Sequence, residues 1–396
     1  MKAHHMNTAH YLLHPRAPLV FGTGKPLDFG LGGDTLNFPY PSTVAGALRA
    51  THSAQQGGVP DPYADIQDLQ LHQMALARFN WLHPEEVPTL LLPRPADAVY
   101  LNQKMLHLTP QPLAADSWTD LPKGLQVLTL QGNDEDKKGK PDPAPTWWNT
   151  TDYSRWLAKP SAMAKHPVLN DHDTLPDERT HVVIDPHGKG AVTGGLFRST
   201  GRDFGPHHAS HQGEHAHQKA SHGYALAIRT QGPQSLHGLT RRLGGEGRFV
   251  RFEQCAPQHL WSSATPPQGL DKATHIRFIL TTPAVFPEKG WHPDTLAYNP
   301  ATNTIDGTLH IGGRAISVQL LAAAINRAQS YSGWPMGSDG RPGPGRPWRV
   351  VPAGSVYWLQ VQAGDAPALW EQSLCANTQH DRWQDNGWGR GLVGLT

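Results

Sequence analysis

The stretch LNFPYPSTVAGALRA, residues 36–50, puts a short helix behind an unusually stiff approach. Pro39 and Pro41 fix the backbone ahead of it, and Ser42 and Thr43 supply hydroxyls at its start. Val44, Ala47 and Leu48 recur at helical spacing, with Arg49 near the far end. Just upstream, Gly30-Leu31-Gly32-Gly33-Asp34 is a run of flexible backbone. Two readings stand. One is a loop and a cap. The other is an anion site, because the first N–H groups of a helix have no partner within it.

The rest of the chain sets limits on both. In 396 residues there is room for two or three domains with sizeable cores. Gly 40 and Pro 36 together far exceed the average share of roughly 12%, which favours short elements joined by loops over long helices. Thirteen tryptophans and 24 histidines are also high. Net charge is only +1, but it is unevenly spread. Residues 188–251 carry nine Lys/Arg against three acids, whereas residues 85–178 carry fourteen acids against nine bases. A basic segment beside an acidic one suits a protein with one side turned to a polyanion. Cys255 and Cys375 form neither a CxxC pair nor a secreted disulfide framework. MKAHHMNTAH has no apolar signal core, and Val318 to Ile325 is too short to span a bilayer, so a cytoplasmic soluble protein is expected.

Along the chain, AHYLLHPRAPLVF (9–21) reads as a strand with a proline-bounded bend, and Asp65 to Phe79 as a second helical stretch. Leu90 to Leu92 and Ala98 to Leu101 read as short strands, and QGNDEDKKGKPDPAP (131–145) as a surface loop. HVVID (181–185) and GYALAIR (223–229) are strong strand candidates, and the segment between them reads as a long hairpin-like projection. A boundary is expected near 255–272. After it, HIRFIL (275–280), Ile316 to Ile325, Arg349 to Val351 and SVYWLQV (355–361) supply strands or short helices. Two α+β domains of similar kind follow from this alternation.

Three stretches carry possible chemistry. His207, His208, His211, His215, His217 and His222 are rich in metal-binding imidazole, but almost no apolar residue holds them in place, so a solvated loop without metal is expected. Leu243-Gly244-Gly245-Glu246-Gly247-Arg248, preceded by Arg241 and Arg242, combines close backbone approach with guanidinium groups suited to phosphate. It lacks the GxxxxGK[ST] pattern of nucleotide hydrolysis, and a tight turn with a structural Glu246 is its plain alternative. Gly387-Trp388-Gly389-Arg390-Gly391-Leu392-Val393-Gly394 reads either as a loop along a nucleic-acid backbone or as a bulged final strand.

Taken in order, Gly24-Lys25-Pro26-Leu27-Asp28, FPYPSTVAGALR, GGLFRS, LGGEGR, SGW, VPAGSVY and GWGRGLVG resemble one family: the RAMP third subunit of the type III-B CRISPR effector, the Cmr complex. The matches run from residue 16 to 396. The resemblance implies an α+β chain of two ferredoxin-like (RRM-like) domains with a protruding β-hairpin thumb and long loop insertions. The first domain would span 1–258, with a helical insertion and a thumb at about 188–222, and the second 270–396. It implies a non-catalytic, cofactor-free subunit that holds the 5′ repeat-derived tag of the CRISPR RNA and docks the large polymerase-like subunit and the backbone RAMP subunits. The RNA contacts expected on this basis are Asn37, Phe38, Ser42, Thr43 and Arg49 at the first helix, with Phe38 and Tyr40 stacking on bases. Arg198 and Arg202 would contribute from the thumb, Arg242, Gly244, Gly245 and Arg248 from the glycine turn, and Gly387, Gly389, Arg390 and Gly391 from the C-terminal loop. The alternatives are the equivalent end-capping RAMP of a type III-A effector, a metal-independent CRISPR RNA endonuclease and a zinc hydrolase. An endonuclease needs a general base near the 2′-hydroxyl, and only His52 stands near the first helix.

Overall fold

A computed structural model describes residues 7–23, 35–64, 66, 68–114, 118–165, 174–205, 222–233, 235–256, 265–335, 341, 343, 345–379 and 381–396. The segments Gly24 to Asp28 and Gly30 to Asp34, and all of the histidine cluster except His222, lie outside these residues. The chain divides into two compact units. Unit 1 comprises Met1–Leu90, Thr174–Leu260 and Ser330–Trp348, and unit 2 comprises Leu91–Asp173, Trp261–Gln329 and Arg349–Thr396. This differs from the expected division at 258/270 in two places. The insertion 91–173 belongs to the second unit, and residues 330–348 belong to the first.

Unit 1 is built on antiparallel strands in the spatial order Thr240–Arg242, Phe249–Cys255, Asn7–Pro15, His222–Gly232, Gln70–Asn80. Leaving out the short edge strand and counting along the chain, the order is 4-1-3-2. The helix Pro41–Gln55 forms the crossover from the first strand to the second. His222–Gly232 is central and buries Tyr224, Ala225, Leu226, Ala227 and Ile228 in succession, which explains the unbroken apolar run of GYALAIR. The helix buries Val44, Ala45, Leu48, Thr51 and His52 along one stripe. It begins at Pro41, where the fixed φ suits the first helical position and no N–H is needed.

The second helical stretch expected at Asp65 to Phe79 is corrected: Gln70–Asn80 is a strand. Its pairing with His222–Gly232, from Asn80 opposite His222 to Gln70 opposite Gln231, overrides the helical spacing of Leu69, Leu71 and Met74. His181 to Ile184 of HVVID form a strand as expected, within Leu175–Ile184, which pairs with Ala191–Asp203 to form a two-stranded hairpin. The root of that hairpin is pinned where Leu19 and Arg202 exchange backbone hydrogen bonds at 2.9 and 2.7 Å.

Unit 2 carries the order Leu296–Asn299, Thr304–Ile311, Arg314–Ala324, Val356–Val361, His275–Leu280, Gly391–Leu395, again antiparallel. Its last four strands repeat the 4-1-3-2 order from the other edge. The 91–173 insertion supplies the helix Thr150–Ala158, capped by Asn149, whose Oδ1 accepts from the Asp152 N–H at 2.9 Å. Leu157 of this helix lies against Gly394 of the final strand, where a Cβ would stand 3.0 Å from the Leu157 carbonyl.

A buried ion pair explains why the insertion belongs here. Arg277 and Asp97 are 1% and 0% exposed and meet at 2.6 Å. The second carboxylate oxygen of Asp97 accepts from the Trp156 indole at 2.9 Å. Arg277 donates also to the carbonyls of Trp156 (2.6 Å) and Leu395 (2.7 Å). Asp97 and Trp156 come from the insertion and Arg277 from the central sheet, so the pair closes only when both are in place.

Candidate nucleic-acid interface

At the first helix the expected residues divide. Asn37 is exposed and Phe38 half-buried, so both can meet a ligand. Tyr40 is 2% exposed, donates its hydroxyl to the Ser330 carbonyl at 3.0 Å and sets its ring edge-on to Tyr331 at 5.2 Å. Burial, with Tyr331 adding to it, raises its phenol well above the ordinary value. The stacking role expected of Tyr40 is therefore corrected: the ring anchors the helix start. Ser42 and Thr43 are half-buried, and the Thr43 N–H bonds back to the Tyr40 carbonyl at 3.0 Å. The Ser42 Oγ is buried and finds no hydrogen-bond partner among the described residues. Arg49 donates through Nε to the Pro62 carbonyl at 2.9 Å, bracing the helix against the loop that follows it.

The hairpin and the glycine turn come together. Gly244, at φ 77°, sits so close to the chain that a Cβ would lie 2.4 Å from the Val20 carbonyl, and the same carbonyl accepts the Gly245 N–H at 2.8 Å. Glu246, also in the left-handed region, accepts from Arg248 at 2.8 Å and faces His181 of the hairpin at 3.6 Å. Burial alone would raise the carboxyl of Glu246. Hydrogen bonds from Arg248 and Ser199, with the charges of Arg248 and His181, instead hold it below the ordinary value. His181 in turn bonds Ser199 at 2.7 Å and stacks on Phe197. Glu246 thus ties the turn to the hairpin.

Around this tie the arginines take different parts. Arg198 and Arg242 are exposed, with the Arg242 guanidinium 5.9 Å above the Phe249 ring. Arg248 is partly exposed and is shared with Glu246. Arg202, expected to face RNA, is buried and bonded to both the hydroxyl and the carbonyl of Thr174, so it is a strut of the hairpin root.

Of the two readings of the C-terminal stretch, the final strand is the one found, and the open loop along a nucleic-acid backbone is corrected. Gly387, Gly389, Arg390 and Gly391 are buried, and Gly391–Leu395 is the closing strand beside His275–Leu280. A Cβ on Gly391 would stand 2.2 Å from the Phe278 ring, and one on Gly389 would stand 2.6 Å from the Cys375 sulfur. The Arg390 carbonyl accepts from the Thr281 and Thr282 N–H groups, its N–H donates to the Thr282 hydroxyl at 2.9 Å, and its guanidinium donates to the Gln384 carbonyl at 3.2 Å. These glycines give room for packing; none lies open to a ligand. In VPAGSVY, Gly354 has a similar reason, since a Cβ there would meet the Arg94 carbonyl at 2.4 Å.

The family model for the CRISPR-associated protein (Cas_Cmr3) matches residues 11–396. The chain belongs to the Cas_Cmr3 family. Membership makes it a subunit of a type III-B CRISPR effector, the Cmr complex. The type III-A alternative gives way to this match. Two solved structures are similar in outline. One is a chain of type III-B Cmr-beta bound to cognate target RNA and AMPPnP, at 11% identity and TM-score 0.41. The other is a chain of Cmr-beta bound to cognate target RNA, at 12% and 0.40. Each covers 88% of this chain and 86% of its own. No curated protein matches the chain. Among the described residues of this family member, no helix is long and apolar enough to cross a membrane.

Proposed function

We propose that this Cas_Cmr3 family member is a non-catalytic guide-RNA subunit. It holds the 5′ repeat-derived tag of the CRISPR RNA and docks the large polymerase-like subunit and the neighbouring backbone RAMP subunits. The observation that carries the reading is the joined hairpin and glycine turn. Arg198 on the hairpin and Arg242 beside the turn are both exposed, and Arg248, shared with Glu246, is partly exposed. The 4-1-3-2 order of both units supports two ferredoxin-like domains, and the hairpin Leu175–Ile184/Ala191–Asp203 supports a thumb.

A cleaving role finds no support at the first helix. His52 is 1% exposed, burial lowers the pKa of its ring, and its Nε2 lies 2.9 Å from where a Cβ of Gly232 would be. It cannot reach a ribose hydroxyl.

The test is a ribonuclease footprint of 5′-labelled guide RNA in the assembled complex, with wild-type chain and with Arg198→Ala/Arg242→Ala. The reading expects the tag to be protected in the first and exposed in the second, without any cleavage of repeat RNA by the pure protein. Equal protection in both would remove the hairpin surface from the guide path.

A further inference from the structure

Residues 330–348 reach back from the second half of the chain to join unit 1. Their sequence, SYSGWPMGSDGRPGPGRPW, is dominated by Gly and Pro, and its single acid is Asp339. The base of this arm is fixed to the start of the first helix. Ser330 accepts from the Tyr40 hydroxyl, Tyr331 meets the Tyr40 ring, and the Ser332 N–H bonds the Thr23 carbonyl at 3.2 Å. Farther out the two sides of the arm are joined. Gly345 N–H donates to Gly333 at 2.8 Å, Gly343 N–H donates to Pro335 at 3.1 Å, and Ser332 Oγ donates to the Gly345 carbonyl at 2.8 Å. Gly345 is pressed so closely to this strand that a Cβ would come 2.9 Å from Pro335.

Trp334 lies between those two rungs and is 57% exposed. Across the arm, exposed Arg346 places its guanidinium 4.6 Å over the ring of Trp348. Stacking of this kind leaves the N–H edges of a guanidinium turned outward, in the plane where a phosphate binds.

We infer that this arm is a second single-strand RNA platform, with a base stacked on Trp334 and a phosphate taken by Arg346 on its Trp348 support. The inference rests on the guide-RNA reading above and names a contact surface which that reading does not contain. Three physical points carry it. The two rungs fix the backbone on either side of Trp334 before any ligand arrives, so little backbone ordering is lost on binding. The immediate neighbours of Trp334 are Gly333 and Pro335, and across the rungs Gly343 and Gly345. These described neighbours offer no large apolar side chain to build the core of a protein contact, whereas a base needs only one π-face. The arm also springs from the helix start that carries exposed Asn37 and the half-buried Phe38, so one strand can pass from one to the other.

The experiment uses the full chain and fluorescence anisotropy with a labelled single-stranded RNA of mixed sequence, about ten nucleotides long, and a duplex of the same length. Trp334→Ala is expected to weaken single-strand binding about tenfold, in line with ~1–3 kcal/mol per stacked base, and to leave duplex binding unchanged. Trp334→Phe should keep most of the affinity. Arg346→Ala should lower the salt slope by about 0.7. Because both side chains are exposed, the thermal midpoint should not move. If wild type binds single-stranded RNA and Trp334→Ala binds it equally well, the platform is refuted while the guide-RNA reading stands. If Trp334→Ala binds RNA normally but no longer co-purifies with its complex, the arm is a protein contact and the inference is likewise wrong. If wild type itself does not bind, the underlying reading fails, and the platform with it.

Discussion

Removing one member of the Asp97–Arg277 pair should be among the most damaging single changes available in unit 2. Asp97→Leu strips Arg277 of its only anionic partner among the described residues at a buried site, and it leaves the Trp156 indole without its acceptor. Losing one half of a buried ion pair costs about 3–5 kcal/mol, and the orphaned indole adds about 1 kcal/mol. The two carbonyl bonds of Arg277 survive, so the sum should fall near 4–5 kcal/mol. That is a large share of the 5–15 kcal/mol by which a domain is usually stable. Arg277→Met should cost a similar amount, because it buries an uncompensated carboxylate. The Asp97→Leu/Arg277→Met double variant removes both charges, and its loss should fall well short of the sum of the singles, with a coupling of about 2–3 kcal/mol. Urea unfolding of all four proteins, followed by tryptophan emission and circular dichroism, measures the cycle. Single losses below about 1 kcal/mol that add without coupling would show that water reaches the pair, and the reasoning from burial would be wrong.

The remaining expectations concern the glycines, the arginines and pH. Gly391→Val drives atoms into the Phe278 ring and should lower the thermal midpoint sharply, with any loss of RNA binding tracking unfolding; a stable variant that lost RNA alone would restore the C-terminal loop to the interface. Arg198→Ala and Arg242→Ala should each reduce the salt slope of RNA binding by about 0.7, whereas Arg202→Ala should chiefly loosen the hairpin root and show as faster proteolysis of residues 175–203. His52, His107 and His292 are all shifted below the ordinary histidine value, chiefly by burial. The folded state therefore binds fewer protons than the unfolded chain as pH falls through about 6.5, so stability is full above that value and is lost on acidification. Thermal midpoints should fall between about pH 7 and pH 5, and His52→Gln should flatten part of that fall; an unchanged profile would mean that the ring is solvated.

Elements whose burial follows from their own sequence are easy to read. GYALAIR announces a central strand because both its faces are covered, and VAGALRATH shows its stripe in Val44, Leu48 and His52. Gln70–Asn80 is misread as helical because Leu69, Leu71 and Met74 satisfy two periods at once, and only its partner strand decides between them. The site is harder for the same reason. An exposed glycine loop and a buried glycine strand look alike in one dimension: a Cβ is blocked at both Gly244 and Gly391, and what separates them is that the first is exposed and the second is buried between strands. Asp97 and Arg277 are 180 positions apart, so no local pattern joins them. Tyr40 reads as a stacking residue until Ser330 and Tyr331 arrive from far along the chain to cover it.

That late arrival affects how the protein must be made. The chain passes between its two units at 90/91, 173/174, 260/261, 329/330 and 348/349. Ser330 and Tyr331 are made some 290 residues after Tyr40, tens of seconds later at ~5–20 residues per second, and until then the Tyr40 ring lacks these partners. Between the completion of Phe249–Cys255 and that point, the sheet strands of unit 1 have all been made while Tyr40 still lacks these partners. A fragment ending at residue 260 would remain in that state for good. The two units therefore cannot be obtained as separate halves by a single cut.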